Sequence, residues 1–186
     1  MKNIILIGFM GSGKSTIGRK LSEKYGLKHI DTDWYIEKEQ NMKISDIFSK
    51  KGEEYFRNLE TECIKKLIDR YKDNIVVSVG GGLPVKDVNR KLLHTLGTVV
   101  YLKAEVSTLE NRLSGDNKRP LLKGGDLHGK IISLMEKRQA IYEQTSDLIV
   151  KTDGLQCIDV VKIIKEEIDN ENIGCLLYTS DAADDK

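Results

Sequence analysis

Only two of the 186 residues are proline, one is tryptophan, three are histidine and three are cysteine. With proline confined to Pro84 and Pro120, helices can run unbroken and no proline-rich linker divides the chain, so a single domain is expected. Cys63, Cys157 and Cys175 are far apart and odd in number, which excludes a disulfide framework and a Cys-x-x-Cys metal site and fits a reducing compartment. His29, His94 and His128 form no pair with metal-ligand spacing, so no role is assigned to them. An excess of one charge is also missing: 30 Lys and Arg stand against 29 Asp and Glu, for a net charge of +1. That balance argues against partners such as nucleic acid or an anionic membrane and favours small molecules. No apolar run approaches the length of a bilayer span, and the first strand begins at once, so neither a membrane helix nor a signal peptide is expected. The expectation is a cytoplasmic monomer.

What the chain does have is Gly8-Phe9-Met10-Gly11-Ser12-Gly13-Lys14-Ser15, which fits G-x-x-x-x-G-K-[ST] and follows the apolar run Ile4-Ile5-Leu6-Ile7. A buried strand that ends in glycines lets the main chain close around phosphate oxygens, with Gly11, Ser12 and Gly13 forming the cradle. The helix that follows adds the positive end of its dipole, and Lys14 adds a full charge to the outer phosphates. Ser15 is placed to hold Mg²⁺, and Thr16 completes the nucleotide loop.

Beyond the loop, strands and helices alternate. Residues 15–25 read as a helix with Ile17, Leu21 and Tyr25 on one face, closed by Gly26. A short strand at 27–30 leads into Asp31-Thr32-Asp33, two carboxylates at the sheet edge where open α/β folds bind ligands. Short helices are expected at 34–40 and 44–50, then a long one in which Phe56, Leu59, Cys63, Ile64, Leu67, Ile68 and Tyr71 recur at spacings of three and four. The β-branched run 75–79 is a second buried strand and stops at Gly80-Gly81-Gly82. Helices at 87–96, 107–113, 131–145 and 155–169 and strands at 99–102 and 148–150 complete an α/β fold: a five-stranded parallel sheet with helices on both faces.

Two segments break the rhythm. Residues 114–129 are polar, contain Arg119-Pro120 and Gly124-Gly125, and show no helical or strand period, so they read as a mobile lid over the phosphates. Residues 175–186, beginning Cys175-Leu176-Leu177-Tyr178-Thr179-Ser180, read as adapter sequence translated in frame, leaving 1–174 as the domain.

A phosphate cradle, carboxylates at Asp31 and Asp33, a glycine turn and arginines at Arg57, Arg112, Arg119 and Arg138 match phosphoryl transfer, which needs charge neutralisation, a metal and an acceptor oxygen held in line. An arginine about 4 Å from a phosphate charge is worth ~4 kcal/mol at an effective dielectric of 20, and Arg119 in the lid is the candidate. The strand 75–79 carries Ser78 rather than a metal-binding aspartate, so Asp31 is assigned a water-mediated hold on Mg²⁺ and Asp33 faces the acceptor. A GTPase is disfavoured, because Asn117-Lys118-Arg119-Pro120 has proline where a guanine-reading motif needs aspartate.

Taken together, Gly8 to Thr16, Asp31-Thr32-Asp33, Gly52-Glu53 with Phe56-Arg57 and Glu60, Gly80-Gly81-Gly82, Arg119-Pro120-Leu121-Leu122 and Arg138 with Tyr142 resemble the shikimate kinase family, over nearly all of the chain to Asp153. The resemblance implies a three-layer P-loop kinase fold with sheet order 2-3-1-4-5, and transfer of the ATP γ-phosphate to the 3-hydroxyl of shikimate with Mg²⁺. It further implies catalytic roles for Lys14, Asp33 and Arg119, and ATP contacts from Gly11, Ser12, Gly13, Lys14, Ser15, Thr16, Arg112 and Arg119. Shikimate would be held by Asp33, Arg57, Gly80, Gly81, Gly82 and Arg138, the two arginines gripping its carboxylate while Glu60 steadies Arg57. Planar guanidinium groups suit that grip, because each pairs with a carboxylate through two parallel hydrogen bonds.

Departures are few: Thr145-Ser146-Asp147 precedes the last strand where a small apolar residue and alanine are common, and Asn41 replaces a frequent glycine. Trp34 is read either as a wall of the substrate pocket or as a packed aromatic. The alternatives are a kinase for another small hydroxy acid such as gluconate, a nucleoside monophosphate kinase, and a nucleotide-binding module without catalysis.

Overall fold

The computed structural model describes residues 2–114 and 126–180, with side chains as far as Asn170. Arg119 and the rest of segment 115–125, and residues 181–186 of the tail, lie outside the described residues. Strand β1 (Ile4–Ile7) is followed by α1 (Lys14–Tyr25), β2 (Lys28–Asp31), α2 (Thr32–Gln40), α3 (Ile44–Lys51) and α4 (Glu53–Arg70). Then come β3 (Ile75–Ser78), a 3₁₀ turn (Leu83–Val85), α5 (Asp87–Leu96), β4 (Thr98–Lys103), α6 (Val106–Leu113), α7 (Leu127–Thr145), β5 (Leu148–Lys151) and α8 (Cys157–Ser180).

The strands form one sheet in the order β2-β3-β1-β4-β5, and every neighbouring pair is parallel. β1 lies at its centre, with Ile5 opposite Val77 on one side and Val99 on the other. All four of its side chains are fully buried, which is why it is an unbroken apolar run. Alternation divides them between two cores. Ile5 and Ile7 join Val77, Val99 and Tyr101 with Phe56, Ile64, Leu67, Leu93, Ile131 and Tyr142 from α4, α5 and α7. Ile4 and Leu6 join Val76, Val100 and Leu102 with Ile17 and Leu21 of α1 and Val161 and Ile164 of α8. Each fully buried aliphatic side chain contributes roughly 1.5–3 kcal/mol, so β1 anchors the phosphate loop firmly at its end.

The structure corrects three sequence expectations. Helix α7 begins at Leu127, where Asp126 accepts from Gly129 N–H and caps it, so the last residues assigned to the lid are its first turn. Proline in the first turn of the 3₁₀ segment stiffens the exit from the glycine turn, where no element was expected. Helix α8 runs to Ser180, well past the expected end at residue 169. No described helix is long and apolar enough to cross a membrane.

Candidate active site

The phosphate loop owes its shape to backbone torsions that side chains disfavour: φ is +83° at Gly11 and +97° at Gly13. Gly13 precedes α1, which has no side-chain cap, so the first N–H groups of that helix remain available to an anion. Lys14 is buried and its Nζ donates to the carbonyls of Gly8 and Phe9 at 2.8 Å each, which holds the ammonium across the loop. The Ser12 hydroxyl is buried and has no partner among the described residues, as suits a donor placed for a phosphate oxygen.

The metal assignment can be tested on the donors themselves. Ser15 Oγ donates to Asp31 Oδ2 at 2.6 Å, so a hydroxyl and a carboxylate meet at the mouth of the loop. These are hard oxygen donors, few in number and beside the phosphate cradle, which fits a Mg²⁺ ion that keeps most of its water and phosphate ligands. The other oxygen of Asp31 accepts from Asp33 N at 3.1 Å and Trp34 N at 3.4 Å, capping α2. That cap places Asp33 in the first helical turn rather than in the strand, and turns it toward the end of β3.

At the end of β3 the glycines are required by what crowds against them. A methyl on Gly80 would meet Asp33 Oδ1 at 2.7 Å and Glu60 Oε1 at 2.9 Å, and one on Gly82 would meet Arg57 Nη1 at 2.4 Å. Asp33, Glu60 and Arg57 therefore converge on one turn. Arg57 Nη1 donates to Glu60 Oε2 at 2.8 Å and Nη2 to Glu53 Oε1 at 2.8 Å, so the guanidinium is braced by acids one turn away on each side. Glu60 lies on the apolar stripe of α4 and is fully buried. Burial pushes its pKa up to about 7 against the pull of Arg57 and Arg138, with Asp33 adding to the rise. Arg138 of α7 is buried as well.

A cavity of about 450 Å³ opens between the phosphate loop and the glycine turn at the C-terminal edge of the sheet. It is lined by residues 10–17 of the loop and α1, by Asp31 and Asp33, by Gly80 and Gly81, and by Arg112, Thr152 and Leu155. Arg112 donates to the carbonyl of Gly11 at 3.2 Å. The structure thus brings Gly11, Ser12, Gly13, Lys14, Ser15, Thr16, Asp31, Asp33, Gly80, Gly81 and Arg112 to one cavity, while Arg57, Gly82 and Arg138 are not among its lining residues.

Sequence reasoning missed several contributors. His29, given no role, places Nε2 3.0 Å from Ser78 Oγ, and that hydroxyl donates to the carbonyl of Lys14 at 2.9 Å. The imidazole is therefore the donor to Ser78, and burial lowers its pKa and keeps it neutral. This chain braces the start of α1 against β2 and β3, and Gly18 leaves room for the ring. Thr32, fully buried, accepts from Gly80 N–H at 3.0 Å. Trp34 matches neither reading offered for it: it is 60% exposed, with Lys38 over its ring at 5.0 Å. No local pattern announces the His29–Ser78 or Thr32–Gly80 contacts, which join residues 49 and 48 apart.

Comparison with known proteins identifies the family. A model of the family described as shikimate kinase matches residues 10–169. A shikimate kinase of Persephonella marina is 45% identical over 88% of this chain and 97% of its own. The structure of a shikimate kinase from Acinetobacter baumannii in complex with shikimate superposes with a TM-score of 0.87 at 33% identity, covering 92% of this chain and 94% of that one. A deoxyadenosine kinase from M. mycoides with bound dATP, 15% identical with a TM-score of 0.59 over 90% of this chain and 99% of its own, shares the fold alone. The chain belongs to the shikimate kinase family, ATP-dependent enzymes that phosphorylate shikimate.

Proposed function

We propose that this chain moves the γ-phosphate of ATP to the 3-hydroxyl of shikimate with the residues of this cavity and of the glycine turn beside it. The observation that carries the assignment is the convergence of Asp33, Glu60 and Arg57 on the glycine turn that faces the phosphate loop. Asp33 accepts a hydrogen bond from the substrate hydroxyl and takes its proton as the oxygen forms its bond to the γ-phosphorus. The bond to the β-phosphate oxygen breaks and ADP leaves. Arg57 and Arg138 bind the shikimate carboxylate, and the main chain of Gly80, Gly81 and Gly82 fits against the ring.

On the nucleotide side, the N–H groups of residues 11–16 hold the phosphates, Lys14 neutralises the charge that builds toward the transition state, and Arg112 lies near the base. Arg119, which lies outside the described residues, is assigned the same neutralising duty. Ser15, and Asp31 through a water, would hold Mg²⁺, which on binding supplies charge neutralisation of the phosphates. We assign residues 1–174 to this one domain and expect a cytoplasmic monomer.

The test is ADP release from Mg-ATP by the full chain, offered shikimate, gluconate, a nucleoside monophosphate or no acceptor. Release that depends on shikimate alone is expected. Release with gluconate or the nucleotide instead would discard the carboxylate grip. In Asp33→Asn, shikimate-dependent turnover should fall by about 10²-fold or more while ATP affinity is kept, the usual scale for loss of a general base.

A further inference from the structure

Tyr142 lies on α7, fully buried, one turn beyond Arg138. Its hydroxyl donates to the carbonyl of Gly81 at 2.5 Å. The guanidinium of Arg138 lies close enough to act on the same hydroxyl, its positive charge favouring the ionised phenol against burial. The ring packs on Tyr101 with centroids 5.2 Å apart, which fixes where the hydroxyl can reach. Gly81 also packs against the phosphate loop, since a methyl there would come within 3.3 Å of Gly8 O and 3.4 Å of Met10 N, with the Tyr142 hydroxyl 3.6 Å away.

Three successive glycines carry no side chain that could lock their own conformation, and glycine has the most freedom to lose. The carbonyl that Tyr142 grips belongs to the peptide joining Gly81 to Gly82. In a trans peptide the C=O and N–H point opposite ways, so gripping that oxygen turns the N–H of Gly82 away from Tyr142. We infer that Tyr142 is a positioning residue for shikimate: it holds the Gly81–Gly82 peptide and the Arg138 guanidinium as one rigid unit, seated against the phosphate loop before either substrate binds. The inference rests on reading Gly81, Gly82 and Arg138 as contacts of shikimate. Burial pushes the hydroxyl up to about 12 against the opposing charge of Arg138, so it stays a donor at any working pH.

Tyr142→Phe in the full chain removes one oxygen and keeps the ring on Tyr101. The KM for shikimate should rise about fivefold or more, while the KM for ATP stays within about twofold and thermal stability changes little, as follows when an uncharged, pre-organising hydrogen bond is lost. An unchanged shikimate KM overturns the inference, and so does a parallel rise of both KM values with a large loss of stability, which would mark Tyr142 as packing only. Arg57→Ala leaves the Tyr142 contacts intact and tests the reading beneath. If its shikimate KM does not move, the carboxylate grip falls and the inference with it. A raised KM there beside an unchanged one in Tyr142→Phe removes the role of Tyr142 alone.

Discussion

The guanidinium of Arg57 fills the space where Gly82 would carry a side chain, so that a methyl at that position would stand 2.4 Å from Nη1 and 2.6 Å from Nη2. The two residues are on different elements, α4 and the turn after β3, and no side chain can be added at 82 without moving Arg57. Glu53 and Glu60 hold the guanidinium in place, so an added methyl must break one of those ion pairs to displace it.

Gly82→Ala should therefore act on substrate binding more than on folding. The shikimate KM is expected to rise by about tenfold or more, because misplacing a positioning group by ~1 Å costs on that scale. ATP affinity should be unaffected. Steady-state kinetics with each substrate varied in turn decides it, and equal effects on both substrates would mean that the turn, not Arg57, had moved.

Asp31 serves two masters: one oxygen caps α2 and the other meets Ser15. Asn caps a helix about as well as Asp. Asp31→Asn should thus melt within about 1 kcal/mol of the parent, yet need several times more Mg²⁺ for half-maximal activity, because a carboxylate beside the metal has become an amide. A magnesium titration at saturating ATP measures it. Unchanged magnesium demand would remove Asp31 from the metal site.

Glu60 makes stability depend on pH in an unusual direction. Its folded pKa is raised to about 7 by burial, whereas an unfolded glutamate ionises near ~4.3. Between those values the folded state keeps a proton that the unfolded state has released, so this group's contribution to stability is lost as pH rises through the window. Glu60→Gln cannot titrate, so its melting temperature relative to the parent should climb as pH goes from about 5 to about 7.5. A difference that stays flat over that range would mean that Glu60 is ionised throughout. The same variant should raise the shikimate KM, since Arg57 loses its buried partner.

Tyr101 buries a hydroxyl that has no partner among the described residues. Burial raises its pKa, as expected for a phenol kept from water. Tyr101→Phe removes an unsatisfied polar atom and keeps the ring contact with Tyr142. The variant should be as stable as the parent or more stable by about 1 kcal/mol, measured by denaturant unfolding. A clear loss of stability would reveal a hydrogen bond that the fold depends on.

The features legible in the sequence are those whose physics is local. Gly11, Gly13, Lys14 and Ser15 declare a phosphate loop because the backbone torsions, the helix start and the charge all sit within a few residues. Ile4–Ile7 and Ile75–Ser78 read as doubly buried strands because nothing polar interrupts them until Ser78, and the spacing of Phe56, Cys63, Ile64 and Leu67 marks one helical face. The start of α7 was misplaced because Asp126 and Gly129 form a cap through a side chain, and a polar stretch with glycines looks the same whether it begins a helix or continues a loop.

By itself the sequence determined the alternation of strand and helix, the anion cradle and the residue types needed for phosphoryl transfer, since periodicity, glycine freedom and charge act between near neighbours. Only the tertiary structure decided that Glu60, on a helix whose other acids are exposed, would be fully buried beside Arg57 and Asp33. It likewise decided that His29 would brace Ser78, and that Tyr142 would reach Gly81 across 61 residues of chain. Those contacts arise from the packing of α4 and α7 over the end of β3 and from the pairing of β2 with β3, and a side chain's partner across such a distance is set by the geometry of the whole sheet rather than by its own surroundings in the chain.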